Sequence, residues 1–205
     1  MSMKIVGVFS VLLLAACGGG GGGSEPTPEE SVTPATPSIT SVQEFADSAD
    51  QFDATILNVA NRAQATNIPT SGSATYNGRV SADYAGDITG SLLGDMSMTA
   101  QFDSLAISGT IDELVASDGA DVFDVGGELT IDGAFAGSDI QASATGALML
   151  PTATGASVSS DTGLEMFGVF LGPSGTPTAV NGAMTGGTVN GVAITLDQAL
   201  FYGIK

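Results

Sequence analysis

Met96-Ser-Met-Thr-Ala-Gln-Phe102 and, two residues on, Leu105-Ala-Ile-Ser-Gly-Thr-Ile111 decide the fold. In the first, Met96, Met98, Ala100 and Phe102 alternate with Ser97, Thr99, Gln101 and Asp103. In the second, Leu105, Ile107, Gly109 and Ile111 alternate with Ser108, Thr110 and Asp112. A period of two sends apolar side chains to one face of a sheet and polar ones to the other.

The rhythm continues on both sides. Upstream, Ala74, Tyr76, Gly78, Val80 and Ala82 alternate with Thr75, Asn77, Arg79 and Ser81. Downstream come Leu129 to Phe135, then Ile140 to Leu148, each apolar at every second residue. Phe167, Val169 and Leu171 mark a strand apolar on both faces, Val180, Gly182 and Met184 a seventh, and Val192, Ile194 and Leu196 lead into a last strand reaching Phe201. Eight short strands with one apolar face, separated by turn signals, suit a sandwich or an up-and-down barrel. An eight-stranded antiparallel barrel is expected, because closure removes sheet edges that would otherwise recruit other chains. Gly78, Gly109, Gly133 and Gly182 then mark bends or close contacts. A membrane-spanning barrel would need an apolar outer band and aromatic girdles. The polar faces instead carry Asp103, Asp112, Asp132 and Gln141, and the chain has nine Phe, three Tyr and no Trp.

Before the strands the period is helical. Val42, Phe45, Ala49, Phe52, Ile56, Val59 and Ala63 recur at steps of three and four, predicting an amphipathic helix from Ser41 to about Gln64. Ser41 with Glu44 fits a capping box. The helix is expected to pack on its own domain rather than enter a coiled coil, since the stripe is shorter than four heptads. Residues 39–68 thus form a helix and linker, and residues 69–205 the barrel domain.

The first residues are of another kind. Lys4 precedes twelve residues, Ile5 to Ala16, that are apolar except for Gly7 and Ser10. The run is too short to span a bilayer and reads as a secretory signal peptide, residues 1–16. It ends in Leu14-Ala-Ala-Cys17, which resembles a bacterial lipobox, with the peptidase cutting before a cysteine that carries diacylglycerol. Cys17 is the single cysteine, so no intramolecular disulfide can form. Six glycines, Gly18 to Gly23, and a Pro/Glu/Thr stretch follow. No apolar periodicity exists there, so residues 17–38 read as a disordered tether of roughly 70 Å at full stretch. Gly18 stands where many Gram-negative lipoproteins carry an acidic retention signal; that resemblance implies the outer membrane.

Without the leader the chain has 22 acidic residues against Arg62, Arg79 and Lys205, a net charge of −19. Such a body is repelled by phosphate backbones, which excludes nucleic acid as a partner. The chain has no histidine, which excludes Ser-His-Asp and Cys-His catalysis and His-ligated zinc or haem.

Three segments carry a further resemblance. Pro69-Thr-Ser-Gly-Ser-Ala-Thr-Tyr-Asn-Gly78 opens the first strand, Gly168-Val-Phe-Leu-Gly-Pro173 is followed by Ala179-Val-Asn-Gly-Ala-Met184, and Leu200-Phe-Tyr-Gly-Ile-Lys205 closes the chain. With the lipobox and glycine tether, residues 69–205 resemble the barrel domain of transferrin-binding protein B and its relatives, among them factor H-binding protein and other surface lipoproteins of Gram-negative bacteria. The resemblance implies a surface binding protein. Leu171 stands where relatives often have an aromatic, and Ser174-Gly-Thr-Pro177 where they tend to have an alanine-acid pair. A single barrel without a handle domain does not imply transferrin binding.

The leading expectation is a non-enzymatic, monomeric binding module, membrane-held through Cys17, that engages an extracellular protein or a solute through barrel-end loops. The loops are Val115–Asp124, Pro151–Asp161 and Gly172–Ala179, with Asp118, Asp121, Asp124, Ser174 and Thr176 as ligand-binding candidates. A second expectation is a small-molecule or haem carrier with Met96, Met98, Phe102, Phe135 and Met184 facing inward; Tyr76, Tyr84, Tyr202 or a methionine could ligate haem, with no spacing to select one. No cofactor, metal or catalytic residue is assigned. Asp118, Asp121 and Asp124 could form a carboxylate pair or calcium loop but fail the EF-hand spacing. A structural surface lipoprotein with no specific ligand is the remaining reading.

Overall fold

A computed structural model of the chain describes residues 39–85, 89–152, 157–189, 192–193 and 195–205. The signal peptide, Cys17 and the tether lie outside the described residues. One helix, α1 (Val42–Ala60), precedes β1 (Ser73–Ala85), β2 (Thr89–Gln101), β3 (Ala106–Ser117), β4 (Val122–Ala136), β5 (Asp139–Pro151), β6 (Ser157–Leu171), β7 (Ala179–Val189), β8 (Val192–Ala193) and β9 (Thr195–Ile204). Each strand from β1 to β7 pairs antiparallel with the next, β9 pairs with both β7 and β1, and eight strands close into a barrel. The short β8 extends the hairpin from β7, so the expected last strand is built in two pieces.

The strands are longer than the repeats suggested, 13 residues in β1 and 15 in β6. Lengthening shrinks two expected loops. Val115 and Asp124 are paired with each other inside β3 and β4. Pro151 belongs to β5, and Asp161 lies well inside β6. Leu105, read as a strand residue, stands instead in the β2–β3 turn with φ 57° and 48% exposure. Its carbonyl accepts the Phe135 amide at 3.0 Å, which pins the left-handed turn despite the steric cost for a branched side chain.

Two apolar cores result. Inside the barrel are the inward residues of every strand, among them Tyr76, Met98, Ile111, Ile131, Met166 and Phe201. Outside it, Phe45, Phe52, Ile56 and Val59 of α1 pack on Leu93, Leu171, Ala179 and Tyr202 of the wall. Burying four such side chains contributes roughly 1.5–3 kcal/mol each, which explains why this helix docks rather than frays. Ser41 caps it, its Oγ accepting the Glu44 amide at 3.2 Å. The Glu44 carboxylate accepts from the Thr40 amide and hydroxyl, both at 2.9 Å, so the reciprocal bond of the expected capping box is made one residue earlier. The helix ends at Ala60, four residues short of the expected Gln64. The chain is drawn onto the barrel there: Gly172 donates to the Ala63 carbonyl and Ala65 to the Phe170 carbonyl, and Gln64 bridges Leu171.

The two barrel ends differ. At the end bearing the β2–β3, β4–β5 and β6–β7 turns, the rings of Tyr76, Phe102, Phe135 and Phe170 cluster with centroid distances of 5.2–6.2 Å. Ala65 and Ile68, from the segment after the helix, pack against them. This is the closed end. The other end bears the β1–β2, β3–β4 and β5–β6 turns. Phe45 and Ala49, early in α1, lie beside Ser91 and Leu93 near it, so α1 runs from this end, left open among the described residues, to the closed one.

Candidate functional site

Apart from Tyr84, inward positions toward the open end carry non-aromatic side chains, where the opposite end carries rings. β1 supplies Val80, Ala82 and Tyr84, β2 Leu92, β3 Ile111, Leu114 and Ala116, and β4 Leu129; Leu148 and Leu150 of β5, Thr162 and Leu164 of β6 and Met184 of β7 complete the wall. A cavity of about 60 Å³ remains among them, its open surface all carbon. Water gains nothing where polar partners are missing, and the space is well under the roughly 150 Å³ of a carbon-lined cavity that takes benzene. The site is therefore suited to a small apolar group.

A β-bulge on β3 brings Leu114 and Ala116 to this wall. Asp95 pairs with Asp112 and Leu93 with Val115, leaving one extra residue on β3. Glu113 takes φ 48° there. Inward parity consequently switches from the odd residues Ile107 and Ile111 to the even residues Leu114 and Ala116, all four buried. Of the expected pocket residues only Met184 lines the cavity; Met96 and Met98 are packed in the core, and Phe102 and Phe135 belong to the closed-end cluster.

Tyr84 is the polar member of the wall. Its hydroxyl is closed to solvent and has no hydrogen-bond partner among the described residues. Burial first, and then the negative charge of Asp118, push its pKa up. Tyr84 faces Gly90 across the β1–β2 ladder. A Cβ on Gly90 would stand 2.1 Å from the Ser117 carbonyl oxygen and 3.1 Å from the Asp118 Cα; only glycine lets the β3–β4 turn come so close to β2.

The candidate loop residues fall at opposite ends. Asp118 and Asp121 occupy the β3–β4 turn at the open end, where the Asp118 carboxylate accepts the Ala120 and Asp121 amides, both at 2.8 Å. Those bonds, Asp121's first, hold its carboxyl below the usual range. Asp124 is exposed and lies within β4 rather than in a loop. Ser174 and Thr176 lie in the β6–β7 loop at the closed end, about a strand length away, roughly 30 Å for tilted strands of this size. The Ser174 hydroxyl accepts from Asn67 at 2.9 Å, and Gly175 donates to the Thr66 carbonyl at 2.8 Å. That loop is stitched to the segment plugging the barrel.

The three tyrosines considered for haem are separated. Tyr76 is in the interior cluster, Tyr84 at the cavity, and Tyr202 on the outer wall 5.4 Å from Phe52. On the same wall Arg79 lies 3.3 Å from Asp95. Burial, then the charges of Asp95, Glu128 and Glu113, raise the pKa of neighbouring Asp112. No group of three or more acidic, His or Cys side chains among the described residues is placed to hold a metal ion, and none of their helices is long and apolar enough to cross a membrane.

Fold and cavity together define a closed antiparallel β-barrel with an apolar pocket at one end and an external helix. No family model, curated protein or solved structure matches the chain.

Proposed function

We propose that this chain is a non-enzymatic, membrane-anchored binding barrel that holds the apolar part of a small ligand in its open-end cavity. The carrying observation is the asymmetry of the interior: four aromatic rings fill one end, while an all-carbon cavity of about 60 Å³ remains at the other. Small-ligand sites are mostly apolar, pre-formed and placed at the mouths of barrels.

Two features support a lipoprotein setting at the outer membrane. Cys17 closes a lipobox and is followed by the six-glycine tether. Ile39, where the described chain begins, packs with the early part of the helix that starts near the open end. The tether therefore joins the body near the start of the helix. In this reading the resemblance to transferrin-binding protein B barrels reflects a shared scaffold for surface binding, without transferrin as the ligand.

The test is a titration of the full chain, with Leu, Ile and Val methyl groups labelled for NMR, with xenon as a small neutral apolar probe. Shifts confined to Leu114, Leu148, Leu164 and their neighbours are expected. Shifts scattered over the surface, or none at all, would refute the cavity as a binding site.

A further inference from the structure

A larger space lies outside the barrel, in the groove between α1 and the wall. We infer that this groove is a second binding site, independent of the barrel cavity, and that it takes a small organic cation: an ammonium group carried on a compact apolar body, such as an arylalkylamine.

The groove holds about 230 Å³, more than the roughly 150 Å³ of a carbon-lined cavity that takes benzene. The helix forms one side with Phe45, Phe52 and Asp53, and the barrel forms the other with Asp83, Ser91 and Leu93. The space exists because Ala49 stands between Phe45 and Phe52 on the helix stripe, at steps of four and three, while Ser81 and Ser91 face the same groove from β1 and β2. Rings set the helix off the wall, and the small side chains between them leave the gap unfilled. Phe45, Phe52 and Leu93 are buried, so the base is apolar. Unlike the barrel cavity, the groove also presents polar atoms.

Charge selects the sign of the ligand. Asp53 and Asp83 are both exposed and line the groove from its two sides. Asp83 faces Ser91 across the β1–β2 ladder and accepts its hydroxyl at 2.8 Å. No lysine or arginine lines the groove among the described residues. Arg79, two residues before Ser81 on β1, lies against Asp95 at 3.3 Å. Two carboxylates without a cation between them, in a chain of net charge −18, concentrate cations and turn anions away. An ammonium carries three donors, which suits the oxygens of Asp53, Asp83 and Ser91. A bare metal ion suits the groove less well, because it needs a shell of oxygen ligands and half of this lining is carbon side chains. An apolar body on the cation covers that base and releases water from it.

The experiment titrates the full chain, methyl-labelled as above, with benzylamine, benzyl alcohol and benzoate at pH 7 and low salt. Leu93 and Leu200 line the groove and report on it; Leu114, Leu148 and Leu164 report on the barrel cavity. Benzylamine, protonated at this pH, is expected to shift Leu93 and Leu200 and to bind at least about threefold more tightly than benzyl alcohol, with benzoate weakest. Asp53→Asn and Asp83→Asn should each weaken benzylamine about two- to fivefold, the range of an exposed ion pair, and leave benzyl alcohol unchanged. Added salt should narrow the gap between amine and alcohol. Ala49→Leu, which fills the groove with a good helix former, should abolish binding of both while the xenon shifts persist. Equal affinity for amine and alcohol overturns the inference, as do benzylamine shifts that avoid Leu93 and Leu200, or amine binding that both carboxamide variants leave intact. Failure of the xenon titration would remove the barrel-cavity reading alone and leave the groove standing.

Discussion

The Phe201 ring lies over Gly182, its directly paired neighbour across β9 and β7, and extends to Gly168 on β6 beyond it. Phe201 is 0% exposed. A Cβ built on either glycine would come within 2.6 Å of the tip of that ring. The aromatic therefore occupies the space that two side chains have vacated, which lets three strands pack tightly at the seam where the barrel closes.

Substitution at this seam is expected to be costly in a specific way. In Gly182→Ala the new methyl would also stand 2.1 Å from the Phe167 carbonyl oxygen, an obstacle on the backbone. Phe201→Ala should destabilise by about 3–5 kcal/mol through cavity formation. Combining the two should not restore stability, because removing the ring leaves the carbonyl in place. Urea unfolding monitored by circular dichroism measures all three variants; recovery in the double variant would contradict the geometry.

Overpacking separates the cavity from the filled core. Ala116 borders the cavity, and Ala144 is fully buried away from it. Ala116→Leu should leave the thermal midpoint near native while abolishing xenon binding. Ala144→Leu should cost about 1–3 kcal/mol, the usual effect of forcing methylenes into a filled space. Thermal melts and the methyl titration together distinguish these outcomes.

The helix is expected to be held by its contact with the wall. Phe52 is 1% exposed and stacks on Tyr202 at 5.4 Å. Phe52→Ala should lower stability by about 3–5 kcal/mol and speed amide exchange in α1 more than in the barrel. Ser41→Ala should cost about 1 kcal/mol by removing the cap. Hydrogen exchange resolves the two, since the cap variant should affect the first turn most.

Stability should fall in strong alkali. Burial pushes the Tyr76 phenol from 10.0 up to about 12. Its hydroxyl donates to the Pro177 carbonyl at 3.4 Å. The raised value means that the unfolded chain loses its phenolic proton first. Tyr76 thus supports the fold fully below pH 10, and this support is lost as pH rises from 10 toward 12. Tyr76→Phe should show a shallower decline over that window in pH-dependent urea midpoints.

In the proposed reading, anchoring depends on the Cys17 sulfur. Cys17→Ala should move the protein from the membrane fraction to the soluble one and abolish incorporation of labelled palmitate, with the barrel's circular dichroism unchanged. Protease shaving of intact cells tells whether the anchored body faces outward.

Much of this architecture was legible in the residue pattern. The alternation in Met96–Phe102 and Ile140–Leu148 specifies which face of each strand is apolar, because successive side chains leave a strand on opposite sides. The stripe of Phe45, Phe52, Ile56 and Val59 specifies the buried face of α1 for the matching reason at period 3.6. Both are local consequences of backbone geometry, and so was Ser41 as the helix cap.

What only the tertiary structure decided depends on partners distant in the chain. The helix stops at Ala60 because Ala63 and Ala65 find hydrogen bonds on β6 and the loop after it. Leu105 turns rather than extends because Phe135 holds its carbonyl. The bulge at Glu113 reverses the inward parity of β3, and with it carries Leu114 and Ala116 to the cavity. Asp118 and Ser174 looked alike as loop residues, yet closure of the barrel sends them to opposite ends. Alternation determines a face; it cannot say where along the barrel two faces meet loosely enough to leave a space, since that depends on the combined volume of side chains from strands up to a hundred residues apart.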